Sequence, residues 1–466
     1  MHKPSSSAPL KRPIQAKHLI LLSLGGAIGT GLFLGSGEVI HQAGALGAIL
    51  AYIFGASVTY AVMMCLGELA AYMPVSNAFG AYATRLIGPA TGYMIAWVYW
   101  LTWSLTLGVD FTAAAILLNE LLPEMPVWLG VMLFTGVVLL LNLYSTRLFA
   151  ESEFYLSLVK VATVVLFIVL GLLVLFHFIS VTPAVPYPDY YINNFSKENL
   201  FPYGIKGLFN TMLLVSFSFT GTELIAVAAG EAQNPKESVP KAIKATFWRL
   251  LIMFIGTITL IAFLFPQGQL GLASAEAVSS SPFVLLLGQL KVPYAENGIR
   301  LVIIVALLSS ASAGLYGGSR MLWAISEEHG LPQWVGKVNQ RGIPVSTVII
   351  TILGGLPGLF LKYFSMDKVL TTIIDISAFT MIVVWASVCI AQFNFRRRFL
   401  LENKSLDSLP YRSPFYPYLS IIGCIGLLIT AFSMLMAPSR LISFALCLLF
   451  ILGCYLRYYQ KTAKGR

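Results

Sequence analysis

Apolar runs of about 20 residues recur roughly twelve times along this chain, the length a helix needs to cross a bilayer. They fall near 19–40, 44–72, 92–119, 127–144, 153–178, 203–230, 243–265, 298–325, 344–361, 367–392, 415–436 and 440–459. Of the 466 residues, 57% are hydrophobic and 11% charged, against about 25% charged in soluble domains. No water-soluble core hides that much apolar surface. Inside lipid every backbone group must find a partner within the protein, so runs of this length are helices. The expected fold is therefore all-α and polytopic, with about 12 transmembrane helices. The stretch 281–292 is apolar but short and reads as a surface helix outside the membrane.

The chain carries a formal net charge of +10, and its distribution decides what the charge means. With the N-terminus placed in the cytoplasm, 22 of the 30 Lys and Arg fall on that side. Seven fall on the other, and Lys160 sits alone inside a span. This bias follows the positive-inside rule and puts both termini in the cytoplasm. The cations lie in short loops between helices, so a nucleic-acid partner is not expected. Expected partners are membrane lipid and a small molecule, and no feature sets an oligomeric state. Cys65, Cys389, Cys424, Cys447 and Cys454 lie in or beside apolar runs without CxxC spacing; they read as packing residues, not as a disulfide or zinc site. The first 17 residues are polar and basic, so no cleavable leader is expected. No nucleophile constellation, metal cluster or phosphate loop is present, so no catalytic or metal residues are assigned and an enzyme is not expected.

Two interrupted runs draw the functional reading. The first contains Gly25-Gly-Ala-Ile-Gly29-Thr-Gly31, four glycines in seven residues in mid-span. Glycine is poor in helices and permits backbone that other residues do not. One reading is an unwound helix whose free N–H groups hold a carboxylate; the other is a small-residue packing face. The second is Ser216-Phe-Ser-Phe-Thr-Gly221-Thr-Glu223. Five spans separate the two, an odd number, so they occupy equivalent places in halves of opposite topology. Paired interruptions of this kind point to a transporter binding site.

Other polar residues inside the spans are costly and so are functional candidates. Glu223 either carries a proton or hydrogen-bonds across its break. Phe217 and Phe219 either cover a substrate or pack. Tyr99, Trp103, Thr106 and Asp110 share one helical face, where the acid either meets a cationic side chain or partners a lysine or backbone group. Lys160, about two turns into the fifth run, either carries a coupling charge or snorkels to the interface. Glu231, at the end of the sixth run, reads as a structural or gating residue. Ser238, two residues before Pro240, is positioned to cap the next helix.

Specific motifs resemble the amino acid–polyamine–organocation superfamily, and within it the bacterial amino acid permeases. They are Gly25-Gly-Ala-Ile-Gly-Thr-Gly-Leu-Phe33, Gly67-Glu-Leu-Ala70, Met73-Pro-Val-Ser76, Phe217 to Glu223, Ala229-Gly-Glu231 with Asn234-Pro235, Val239 to Ile243, and Ser319-Arg-Met-Leu322. The resemblance runs from about residue 11 to 460. It implies a LeuT-like fold, a five-plus-five inverted repeat followed by two helices. The implied layout is a cytoplasmic tail at 1–18, a first repeat at 19–178, an outer loop at 179–202 and a second repeat at 203–392. A cytoplasmic linker at 393–414, two helices at 415–459 and a cytoplasmic tail at 460–466 follow. It also implies secondary import of an amino acid across the inner membrane, with a proton as coupling ion and no cofactor. Ile28, Gly29, Thr30 and Gly31 would hold the substrate's main-chain ends, and Ser216 to Gly221 the opposite wall. Lys160 would stand in for a sodium ion. Asp110 makes the chain most like the lysine and arginine permeases. The eighth run has Ser309-Ser-Ala-Ser-Ala-Gly314 where many relatives have an asparagine.

Overall fold

The computed structural model describes residues 14–144, 146–179, 194–195, 200–270, 281–290, 292–329, 331–332, 334–356 and 366–464. The basic tail up to residue 13, most of the expected outer loop 179–202 and the last two residues lie outside them. The end of the ninth run beyond residue 356 does so as well. Among the described residues all regular structure is helical, apart from one isolated bridge between Ile14 and Ala232.

Among the described residues sixteen α-helices carry the fold. They are α1 (Ala16–Ala27), α2 (Thr30–Phe33), α3 (Gly35–Tyr72), α4 (Ala78–Leu86), α5 (Pro89–Leu121), α6 (Val127–Tyr144), α7 (Thr146–Leu175), α8 (Gly204–Ser218), α9 (Leu224–Ala229), α10 (Pro235–Leu264), α11 (Pro282–Gln289), α12 (Ala295–His329), α13 (Val345–Leu353), α14 (Met366–Leu401), α15 (Tyr418–Ser433) and α16 (Leu441–Lys464). Nine stretches among the described residues are long and apolar enough to cross a membrane, carried by α3, α5, α6, α7, α10, α12, α14, α15 and α16. Three more crossings are broken or short: α1 with α2, α8 with α9, and α13. Leu34 stays in the right-handed helical region, so Thr30 onward runs as one half-helix until Gly44, whose φ of 77° turns the chain back. Leu140, Leu166, Ile252, Leu428 and Leu449 are exposed on the outward faces, a surface that suits lipid and not water.

α5 and α12 lie at the centre and pack along their lengths. Gly314 makes this possible, because a Cβ there would run into the Trp103 indole. We expect Gly314→Ala to lower stability by about 1–3 kcal/mol through overpacking, read as a lower melting temperature of the purified protein; an unchanged value would mean that Trp103 moves aside freely.

Three expectations change. The segment at 281–292 is not a surface helix: in α11, Phe283, Val284 and Leu286 are buried. Phe283 packs its ring 4.8 Å from Phe33 and 4.2 Å from Phe167, and Ser281 donates to the Phe33 carbonyl at 2.6 Å. Ser238 does not cap a helix, because α10 starts earlier, with Pro235 in its first turn, where a missing N–H costs nothing. Ser238 instead donates to the Asn234 carbonyl at 2.7 Å. Finally, α7 starts at Thr146, about two turns earlier than its apolar run suggests, which sets Lys160 deep inside the span.

Candidate functional site

The site begins where two helices stop. α1 ends at Ala27, and Ile28 (φ −84°, ψ 89°) still donates to the Leu24 carbonyl at 3.0 Å. Beyond it, among the described residues no backbone or side-chain acceptor takes the N–H groups of Gly29, Thr30 or Gly31, while the Gly29 carbonyl already accepts from Leu32 and Phe33. These are the unsatisfied donors at a helix start. Gly31 has no room for a side chain, since a Cβ would meet the Ser218 backbone. Opposite, α8 ends at Ser218 and Gly221 takes a left-handed φ of 103°. Glu223 Oε2 accepts from the Gly221 N–H at 2.9 Å, so this acid bridges its own break. The two breaks touch: a Cβ on Gly221 would collide with Gly26. Ser23 ties them again, donating to the Thr222 carbonyl at 2.9 Å.

Asp110 and Thr106 of α5 and Ser310 of α12 close the gap between the breaks around a space of about 20 Å³. The Thr30 hydroxyl donates to Asp110 Oδ1. Asp110 Oδ2 is buried with no hydrogen-bond partner. Phe217, Thr30 and Gly31 also line a larger cavity of about 290 Å³, which runs past Glu38, Gln42 and Asn210 to Asp375 and Arg440. The smaller space holds about one water, so a whole amino acid fits only if it also extends past Phe217 into the larger cavity. At the mouth, Arg440 pairs with Asp375 at 3.3 Å and donates to the Asn210 carbonyl at 2.7 Å.

The opposite end, where Ile14 and the end of α16 lie, is sealed among the described residues. Ile14 exchanges backbone hydrogen bonds with Glu231 and Gln233 at 3.2 and 3.0 Å. Glu231 pairs with Arg320 at 3.1 Å, both buried, and the guanidinium lies 4.1 Å above the Tyr316 ring. Glu68 takes two hydrogen bonds from Arg396 and one from the Ser413 N–H. Such pairs are costly to break singly, because each leaves a charge buried without its partner.

The structure sorts the candidate residues. Gly29, Thr30, Gly31, Trp103, Asp110 and Phe217 gather at the space between the breaks, with Gly221 beside it. Ile28 turns its side chain into the core. Ser216 shapes the turn, its carbonyl accepting from Phe219 at 3.1 Å, and lines neither cavity. Phe219 does not face the site either. It stacks on Phe254 at 4.9 Å and faces Tyr52 at 6.1 Å on the far side of α8. Tyr99 lies beyond the cavities as well, its ring 4.7 Å from Phe79. Glu223 lines neither cavity; its polar surroundings are the indoles of Trp103 and Trp385 and the Tyr99 hydroxyl. Lys160, fully buried, donates to the Gly25 carbonyl at 2.5 Å, directly behind the first break. It acts electrostatically on both Asp110 and Glu153. Glu153 had no prior assignment; the signal was its place seven residues before Lys160 on one helical face.

A polytopic helical membrane protein whose centre is two broken helices held face to face is the class that this geometry defines. The amino acid permease family model matches residues 18–464, and the chain belongs to that family. It is 39% identical over 460 residues to the amino-acid permease RocC of Bacillus subtilis (strain 168), covering 98% of this chain and 96% of that one. It is 34% identical over 418 residues to the lysine-specific permease LysP of Escherichia coli (strain K12), covering 89% and 84%. With the histidine permease HisP of Lactococcus lactis subsp. cremoris it shares 34% over 420 residues, covering 89% and 86%. Among solved structures, the Eremococcus coleocola manganese transporter superposes with a TM-score of 0.56 at 13% identity, covering 96% of this chain and 94% of that one; this likeness concerns the fold alone. Amino acid transport is thus the activity of the family, and the chain is membrane-embedded and not an enzyme.

Proposed function

We propose that this permease imports a cationic amino acid, lysine or arginine, together with a proton, by alternating access across the bacterial inner membrane with both termini in the cytoplasm. The observation that carries the reading is Asp110 Oδ2, a buried carboxylate oxygen with no hydrogen-bond partner of ordinary geometry among the described residues, with the Ser310 hydroxyl nearby. It lies across a narrow space from the three free N–H groups of Gly29–Gly31. The N–H groups suit a substrate carboxylate, and the free oxygen suits an ammonium or guanidinium. The sealed end carries the basic loops, so the open cavity faces outward by the positive-inside rule. Lys160 is the principal proton carrier, poised on the first break, and Glu223 a second candidate across the other. The LysP relative, named as lysine-specific, is in keeping with this assignment.

A second reading has its own support. Lys160 also faces Asp110 electrostatically, which would make the acid an internal partner and the substrate neutral or aromatic, carried by exchange or merely sensed. Competition of uptake by lysine, arginine, histidine and leucine separates the two. For Asp110→Asn we expect affinity for the basic amino acids to fall about tenfold relative to leucine, the equivalent of ~1.4 kcal/mol. An unaltered selectivity profile would assign Asp110 to Lys160 instead.

A further inference from the structure

Glu153 is buried at 1% exposure in α7 and lines neither cavity of the site. Its Oε2 accepts from the Ser309 hydroxyl of α12 at 2.8 Å, while Oε1 has no hydrogen-bond partner of ordinary geometry among the described residues, with the Ser312 hydroxyl nearby. Ser157, one turn further along α7, is also fully buried with an unpartnered hydroxyl. Lys160 follows three residues later. Offsets of four and then three set all three groups on one face; no hydrogen bond joins them in this conformation, so the chain closes only when the side chains turn toward one another. That face looks onto the first break: Lys160 donates to the Gly25 carbonyl, and a Cβ on Gly25 would collide with the Ser157 hydroxyl. Three polar groups, two of them with unpaired atoms, would be a poor choice for packing alone.

We propose that Glu153 receives the proton from Lys160, through the Ser157 hydroxyl, and delivers it toward the sealed end. This rests on the symport reading above. In the step, an N–H bond of the Lys160 ammonium breaks as Ser157 Oγ takes that proton. The Ser157 hydroxyl proton passes to Glu153 Oε1. Ammonium and carboxylate become amine and carboxylic acid, with no change in net charge. Release of the proton to water then restores the carboxylate. A hydroxyl suits the middle place because it both donates and accepts.

The trigger is built into the partners. Gly25 belongs to α1, whereas Glu153 and Ser309 belong to α7 and α12. When α1 moves away to open the sealed end, the ammonium loses its carbonyl acceptor while Glu153 keeps its anchor. Among the described residues the groups facing Glu153 are few. Lys160 lies on its own helix, α12 presents Ser309 and Ser312, and α6 adds Asn142, which donates to Ser312 at 3.0 Å. From α5, Asp110 faces the Lys160 end. From α1, His18 meets Phe154 edge-on at 6.1 Å.

The test uses the full chain in liposomes, with labelled lysine and a pH-sensitive dye inside. For Glu153→Gln we expect accumulation driven by a pH gradient to fall about tenfold or more, a typical coupling free energy. Lysine–lysine exchange, which needs no net proton movement, should fall far less, and the pH dependence of uptake should flatten. Glu153→Asp should recover part of the accumulation, which a packing role would not predict. Ser157→Ala, a smaller change, should slow proton entry in the same direction and serves if Glu153→Gln does not fold. Wild-type accumulation and pH profile in both variants would overturn the relay alone. Lysine uptake by the wild type without proton entry would overturn the symport reading, and the relay with it.

Discussion

Gly221→Ala is expected to lose most of its folded, substrate-binding protein. The φ of 103° at Gly221 is left-handed backbone, which costs an L-residue about 1–2 kcal/mol. The new Cβ would also meet the Gly26 backbone and the Ala27 nitrogen. Backbone cannot rotate aside as a side chain can, so an overpacking cost of about 1–3 kcal/mol comes on top. The sum is a large share of the ~5–15 kcal/mol that separates a folded domain from its unfolded chain. The collision also falls where the two breaks meet, so any molecules that do fold should have the breaks pushed apart and bind substrate poorly. Thermal unfolding and lysine binding by the purified protein read both effects. Gly136→Ala, where a Cβ meets nothing within 4 Å, is the control and should stay within about 0.5 kcal/mol of wild type. Equal melting of the two variants would mean that the breaks do not approach each other as closely as the structure has them.

Glycine density made the first break legible from the chain alone, and a glycine beside aromatics and an acid made the second. A glycine cluster inside an apolar run is a local signal, and its echo five spans later supplied the topology. Side-chain direction was less legible, because helical spacing predicts faces only where the helix is continuous. Phe217 and Phe219 straddle the end of α8, where that phase is lost; one reaches the cavity and the other stacks on Phe254. Tyr99, Trp103 and Asp110 do share a continuous helix, yet Tyr99 lies about 16 Å below Asp110 at 1.5 Å per residue, too far along to join the same small space. Glu153 was hidden by a boundary. Arg147 and Glu151 make the first two turns of α7 look like a loop, which sets Glu153 at the membrane edge when it is in fact buried. The ion pairs at the sealed end join residues 89 and 328 positions apart, which no periodicity can bring together.

Lys160→Ala should abolish accumulation driven by a pH gradient and lower the melting temperature as well. The ammonium is fully buried and holds one backbone acceptor, the Gly25 carbonyl. Two carboxylates, Asp110 and Glu153, act on it electrostatically. Each of them is itself buried and only half satisfied, with one oxygen unpartnered. Removing the cation takes its field away from both acids; neither forms a close ion pair with it among the described residues, so the cost is at most about 3–5 kcal/mol, that of deleting one partner of a buried pair. The Gly25 carbonyl also loses the donor that holds α1 against α7. A shift of that size is enough to move a two-state equilibrium by more than about a hundredfold, so the variant should leave the conformation with the termini end sealed. Adding Asp110→Asn to Lys160→Ala removes one of the two stranded charges and should recover part of the stability. A double-mutant cycle of the two should therefore show coupling of about 0.5–3 kcal/mol. Strictly additive losses would mean that Lys160 and Asp110 do not share a field. If Lys160→Ala retains all of the wild type's accumulation, Lys160 only packs behind the break, and the proposed symport would have to rest on Glu223.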